Sequence, residues 1–245
     1  MDGPLQVKAE RIDSVPGETS PKRLDFSDPL RLLPRILCKL YTMWVTSLHP
    51  FHSIGKGASF HYTTNLHNAA LMQIGDYLTV HKDVWLHGKE PDAGHEGPTL
   101  IIGDRCFIAR RCHISAKNRV CIEDNVLFAA SVLVQDHGHE FSDVTRPITE
   151  QGPAKGGTIR IGQGSWIGQG AVIVCDSGEL SLGRNCVVAA NAVVTKSAPD
   201  YSVIAGNPAR IVKQFDPTKG TWVLGSVRRM EPEASEPRSA QLVGV

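Results

Sequence analysis

Between residues 54 and 194 an Ile, Leu, Val or Phe returns at every sixth position in groups of three: Ile54, Phe60, Leu66; Ile74, Val80, Leu86; Ile102, Ile108, Ile114; Ile122, Phe128, Val134; Ile161, Ile167, Ile173; Leu182, Val188, Val194. An amphipathic helix repeats at three and four and a half-buried strand at two, so this spacing belongs to neither. The longer steps come only after the third member of a group, which describes a chain with three flat sides per turn. The spacing predicts a triangular prism of six stacked coils, each side a short parallel strand, roughly 29 Å tall at about 4.8 Å per coil. Four positions after the apolar residue stands mostly a small one, among them Ala58, Cys106, Cys112, Ser165, Ala171, Cys186, Ala192 and Ala198, as a narrow interior requires; Leu78 and Asn118 break this rule. Gly55, Gly75, Gly103, Gly162, Gly168 and Gly183 follow directly on the apolar residue, where a cornering chain is expected to need backbone freedom.

The prism spans 50–213, with two large excursions, 87–101 and 135–160, that leave the same edge two coils apart. Residues 1–28 are polar and rich in Pro and Gly and are expected to form a disordered N-terminal tail; 214–245 is expected to be a C-terminal tail, apart from Trp222, Val223 and Leu224. Between tail and prism, residues 29–49 predict an amphipathic helix with Leu33, Leu37, Leu40, Trp44 and Leu48 on one face and Arg31, Arg35 and Lys39 opposite. Charge interrupts it too often for a bilayer span. Two uses remain open: a cover for the strand edges of the first coil, or a peripheral membrane contact.

Lys and Arg number 26 against 25 Asp and Glu, so no general basic patch points to nucleic acid and any anion site must be local. The six cysteines form no C-x-x-C pair and the N-terminus carries no secretory signal pattern, which together predict reduced thiols and a cytoplasmic location.

Long excursions from a compact array are usually functional. The second contains "VQDHGHEFSDVTRPITEQG", residues 134–152, with His137 and His139 beside Asp136, Glu140 and Asp143. An imidazole near its ordinary pKa takes a proton at neutral pH, and a neighbouring carboxylate or carbonyl can fix its tautomer.

The repeat, the run "CIEDNVLFAASVLVQDHGHEF" from Cys121 and the stretch "VVAANAVVTKSAPDYSVIAGNPARIVK", 187–213, resemble the hexapeptide-repeat acyltransferases. Their fold is a left-handed parallel β-helix, an exception to right-handed crossovers. The likeness is to the sugar and polysaccharide O-acetyltransferases, including those of galactosides, maltose and nodulation factors. It implies acetyl transfer from acetyl-CoA to a hydroxyl of a sugar or polysaccharide precursor, with no metal. It makes His139 the general base, with His137 in reserve on the acceptor side. It places Gln169, Ala190 and Thr195 along the pantetheine arm, Trp166 beside the same groove, and Lys196, Arg210 and Lys213 at the phosphate end. One departure stands out. Where those relatives hold the acceptor with an Asn, this chain has Ala109, followed by Arg110 and Arg111, which suit an anionic acceptor through bidentate pairing. The resemblance also implies a homotrimer with its sites between adjacent prisms. Three other readings stay open: an N-acyltransferase acting on an amino sugar, a zinc hydratase using His81, His87 and His113, and a noncatalytic scaffold.

Overall fold

A computed structural model describes residues 29–91 and 96–224, and in it the six-residue rhythm becomes three parallel sheets wound into a left-handed β-helix. The first sheet stacks Ser53–Ile54, Met72–Ile74, Leu100–Ile102, Arg119–Ile122, Thr158–Ile161 and Glu179–Leu182. The second begins with Ser59–Phe60, Thr79–Val80, Phe107–Ile108, Leu127–Phe128, Trp166–Ile167 and Val187–Val188. The third runs from Asn65–His67 through Trp85–Gly88, His113–Ala116, Leu133–Gln135 and Val172–Val174 to Val193–Val194.

All eighteen periodic residues point inward in three in-register columns. In the first, Ile54 pairs with Ile74, Ile74 with Ile102, Ile102 with Ile122, Ile122 with Ile161 and Ile161 with Leu182. Sixteen of them are buried, and Ile54 and Leu66 of the first coil pack partly buried against the same core. Continuous apolar columns let each coil bury its side chains against the next, so the stack is stabilised by nearest neighbours.

The corner glycines act differently from expectation. They serve close approach: a Cβ on Gly75 would lie 2.6 Å from the carbonyl carbon of Gly103 one coil away, and one on Gly162 would lie 2.5 Å from that of Gly183. The left-handed backbone falls three residues after the apolar position instead, at Tyr77, Arg105, Asn125 and Asn185 on one edge and at Asp83, Arg111, Ser131 and Asn191 on another. Asn and Asp tolerate that region, whereas Tyr77, Arg105 and Arg111 hold it at a cost in strain.

The N-terminal helix α1 (Pro29–Leu48) covers the first coil, but not with its leucine face. Val45 is fully buried, Tyr41 Oη donates to the Thr64 carbonyl at 2.7 Å, and Thr42 Oγ1 both accepts from Phe60 N (2.9 Å) and donates to Phe60 O (3.2 Å). Thr42 thereby stands in for the missing neighbour strand of Phe60. Leu33, Leu37, Leu40, Trp44 and Leu48 are left exposed.

At the other end Ser202–Gly206 adds a seventh parallel strand to the second sheet. Ala209–Asp216 and Thr221–Leu224 then extend it antiparallel. Residues 214–224, expected in the C-terminal tail, are therefore largely strand; residues 1–28 lie outside the described part. All six cysteines are free. Burial pushes the Cys106 thiol up to about 11, which makes it a core residue and not a nucleophile.

Candidate active site

Both excursions leave the edge between the third and first sheets, one from Gly88 and the other from Gln135. The second is a folded flap with a tied neck. Asp136, wholly inaccessible, accepts four hydrogen bonds: Oδ1 from Lys117 N and His137 Nδ1, Oδ2 from Asn118 N and Arg119 N, all at 2.8 Å. Its own carbonyl accepts from Gly157 N at 2.7 Å, closing the flap. Asn118, the residue that broke the small-residue rule, donates through Nδ2 to the carbonyls of Lys155 (2.7 Å) and Gly157 (3.1 Å). Lys117 Nζ donates to the Ala154 carbonyl at 2.9 Å. The two limbs pair as well, with Ala154 N bonding Gly138 O, Glu140 N bonding Gly152 O, and His139 opposite Pro153.

These bonds give the two histidines different settings. His137 is buried, its Nδ1 held by Asp136 and its carbonyl by Gln135 Nε2. His139 sits on the outer limb and is exposed.

The outer face of the third sheet leads to this flap and carries a cluster that the six-residue rhythm did not single out. Trp85 stacks nearly parallel on His87, with centroids 5.6 Å apart, and lies 4.1 Å from His113. His67 meets both Trp85 and His87 at 5.6 Å, and Ser115 Oγ is 3.4 Å from His87 Nδ1. In register, His67, His87, Ser115 and Gln135 form one column, ending beside His137. Every member flanks an inward residue of the repeat, as 85 and 87 flank Leu86, so strict alternation around the periodic positions was the signal that marks them.

Burial, then neighbouring His67, Lys89, His137 and His113, holds His87 below the ordinary imidazole range; burial, then His137, does the same for His113. A depressed imidazole pKa means that the unfolded chain takes up protons first on acidification. Stability is therefore complete above about 6.5 and is lost as pH falls through the window down to the folded values. The thermal midpoint is expected to fall on acidification below about 6, and the double substitution His87→Asn, His113→Asn to flatten that dependence in a calorimetric pH series.

The other sequence-derived site residues occupy different parts of the prism. Trp166 lies half exposed on the second face, in one register column with Val187, Val203 and Lys213. Gln169 and Ala190 are exposed at stacked corners between the second and third sheets, and Asn191 N bonds Gln169 O at 2.9 Å. Arg110 and Arg111 occupy the same edge lower down, where Ser131 N bonds Arg110 O. Thr195 and Lys196 follow Val193–Val194 on the edge that carries the flap, two coils above it. Arg210 lies on Ala209–Asp216 opposite Ala205. Within one chain His139, Thr195 and Lys196 thus share one edge, while Arg110, Arg111, Gln169 and Ala190 lie along another, the width of a prism side away. The three histidines of the zinc reading do not meet one another within one chain: His81 packs on Phe107 at 5.1 Å, apart from the Trp85 cluster that holds His87 and His113. Among the described residues, no three His, Cys, Asp or Glu groups are placed to hold a metal.

Comparisons with known proteins bear on this architecture. Residues 158–196 match the family model for the hexapeptide repeat of succinyl-transferase. A probable acetyltransferase of Mycobacterium tuberculosis is 33% identical over 184 residues, covering 74% of this chain and 55% of that protein. A putative lipopolysaccharide biosynthesis O-acetyl transferase of Escherichia coli is 30% identical over 129 residues, covering 50% of this chain and 64% of the other. The chain thus spans between half and two thirds of the length of these relatives. Among solved structures, an N-acyltransferase of Bacillus cereus in complex with dTDP and 3-hydroxybutyryl-CoA superposes with a TM-score of 0.59 at 19% identity, over 73% of this chain and 90% of that one, a likeness of fold. With its repeat in register through six coils and its identity to these relatives over as much as 74% of its own length, the chain is similar to the hexapeptide-repeat acetyltransferases.

Proposed function

We propose that the protein moves an acetyl group from acetyl-CoA directly to a hydroxyl of a sugar or polysaccharide precursor. The observation that carries this reading is the flap whose neck Asp136 ties and whose outer limb presents an exposed imidazole at the prism edge. His139 is the base. A base must reach both the acceptor and the thioester, and His139 is open to them, whereas His137 spends Nδ1 on Asp136 and is buried. His139 takes the proton from the acceptor hydroxyl as that oxygen bonds to the thioester carbon, and returns it to the sulfur as the C–S bond breaks. His137 holds the flap and, with the Trp85 cluster, lines the acceptor side; an indole face beside imidazoles and Ser115 suits a sugar ring and its hydroxyls. The O-acetyl transferase relative supports oxygen as the acceptor atom.

Acetyl-CoA has a long apolar arm and an anionic end. The corners at Gln169 and Ala190 with Trp166 offer a smooth course for the arm, and Lys196, Arg210 and Lys213 offer charge for the phosphates. Because these corners and Arg110 and Arg111 lie a prism side away from His139, a complete site needs a second copy, and a threefold trimer with the sites between prisms satisfies this. The amino-sugar alternative shares the same donor and base.

The test is acceptor-dependent release of free CoA thiol from acetyl-CoA by the purified protein. Product that hydroxylamine cleaves is expected; hydroxylamine-stable product would make the enzyme an N-acyltransferase, and no thiol release with any hydroxyl or amino acceptor would leave a scaffold. The triple substitution Lys196→Ala, Arg210→Ala, Lys213→Ala is expected to raise KM for acetyl-CoA about tenfold with kcat little changed, exposed charge pairs being worth up to about 1 kcal/mol each. KM for acetylpantetheine, which lacks the nucleotide, is expected to stay put.

A further inference from the structure

We propose that the outward face of α1 docks this protein on the surface of an anionic lipid bilayer. This does not rest on the acyl-transfer reading. The prism takes what it needs from the opposite face of the helix, through Tyr41, Thr42 and Val45. The face left over holds Leu33, Ile36, Leu37, Leu40, Met43, Trp44 and Leu48, and six of these seven are more than half exposed; only Leu37, at 39%, is less so. At 100° per residue they fall within one continuous arc of the wheel, interrupted only by Ser47. Lys39 borders that arc and Arg35 lies further round, toward the opposite face; both are exposed, and no carboxylate among the described residues pairs with either.

Charge decides the occupant. Residues 29–75, the helix and the whole first coil, contain four of the chain's 26 basic residues and none of its 25 acidic ones. A second copy seated on this face would bring like charges together without an answering carboxylate, whereas an anionic headgroup layer supplies the missing negative charge. The helix would lie along the interface with its leucines among the upper acyl carbons and Trp44 at the headgroup level. It would not cross, since no described helix is long and apolar enough to do so.

The experiment is co-sedimentation of the full chain with phosphatidylcholine vesicles, with and without phosphatidylglycerol. Binding that requires the anionic lipid and weakens with salt is expected. Arg35→Ala with Lys39→Ala is expected to lower the partition coefficient about 30-fold, at about 1 kcal/mol per charge. Leu40→Glu is expected to abolish binding while leaving circular dichroism and assembly mass unchanged, since Leu40 is more than half exposed and lies on the helix face away from Thr42 and Val45. Failure of the unmodified chain to bind anionic vesicles, or undiminished binding by Leu40→Glu, overturns the proposal. A fall in assembly mass for Leu40→Glu would overturn it in favour of a second copy.

Discussion

Replacing His139 with alanine is expected to slow acetyl transfer by about 10²–10⁴-fold, the usual contribution of a positioned base. The thermal midpoint should hardly move, because backbone bonds on either side of the residue, and not its ring, support the flap: the limbs pair through Ala154 N to Gly138 O and Glu140 N to Gly152 O. KM for acetyl-CoA should also hold, since the ring acts on the acceptor proton and not on donor binding. His137→Ala separates the two imidazoles. Its ring is buried against Asp136, so its loss should lower stability together with activity. Equal turnover by His139→Ala and the unmodified chain would move the base to His137.

Asp136→Ala is expected to have the largest effect on stability, a loss of about 3–5 kcal/mol read from urea unfolding. One inaccessible carboxylate answers three backbone N–H groups and an imidazole, and its removal orphans all four donors inside the prism edge. Burying an unpaired donor costs about 1–3 kcal/mol, partly relieved where water enters. Asp136→Asn should recover little, because an amide cannot present acceptor oxygens to donors on both sides. Activity should fall in either variant, since the neck that fixes the flap is gone. Full activity in Asp136→Ala would mean that the flap does not carry the chemistry.

How far the fold was legible follows from what a repeat encodes. Ile102 and Ile122 announce their pairing because the same inward position recurs each turn, and packing in a narrow interior leaves only apolar side chains there. The glycines misled for a related reason: Gly75 and Gly162 look like corner hinges in a string, but only stacked coils reveal that the neighbouring backbone leaves no room for a Cβ. Asn118 read as an exception until the flap closed on it, a contact across 39 residues that no local spacing contains. Trp85, His87, His113 and Ser115 were in view yet unassembled, because outward positions are free to vary and their proximity depends on coil register. The leucine face of α1 was read correctly as a stripe. Which side of the helix meets the prism was not legible, since Tyr41 and Thr42 dock through hydrogen bonds that hydrophobic periodicity does not register.

The stacking itself has a consequence for solubility. Parallel coils in register present at each end a rim of unpaired strand edges, the geometry by which identical segments add without limit into fibres. Here growth is stopped differently at the two ends. Thr42 occupies the bonds of Phe60 at one rim, and at the other an antiparallel pair, Ala209–Asp216 and Thr221–Leu224, lies over the last parallel strand of the second sheet, where a further coil would add. The molecule is thus a measured length of an otherwise endless stack, and its two terminators are what make it a protein rather than a filament.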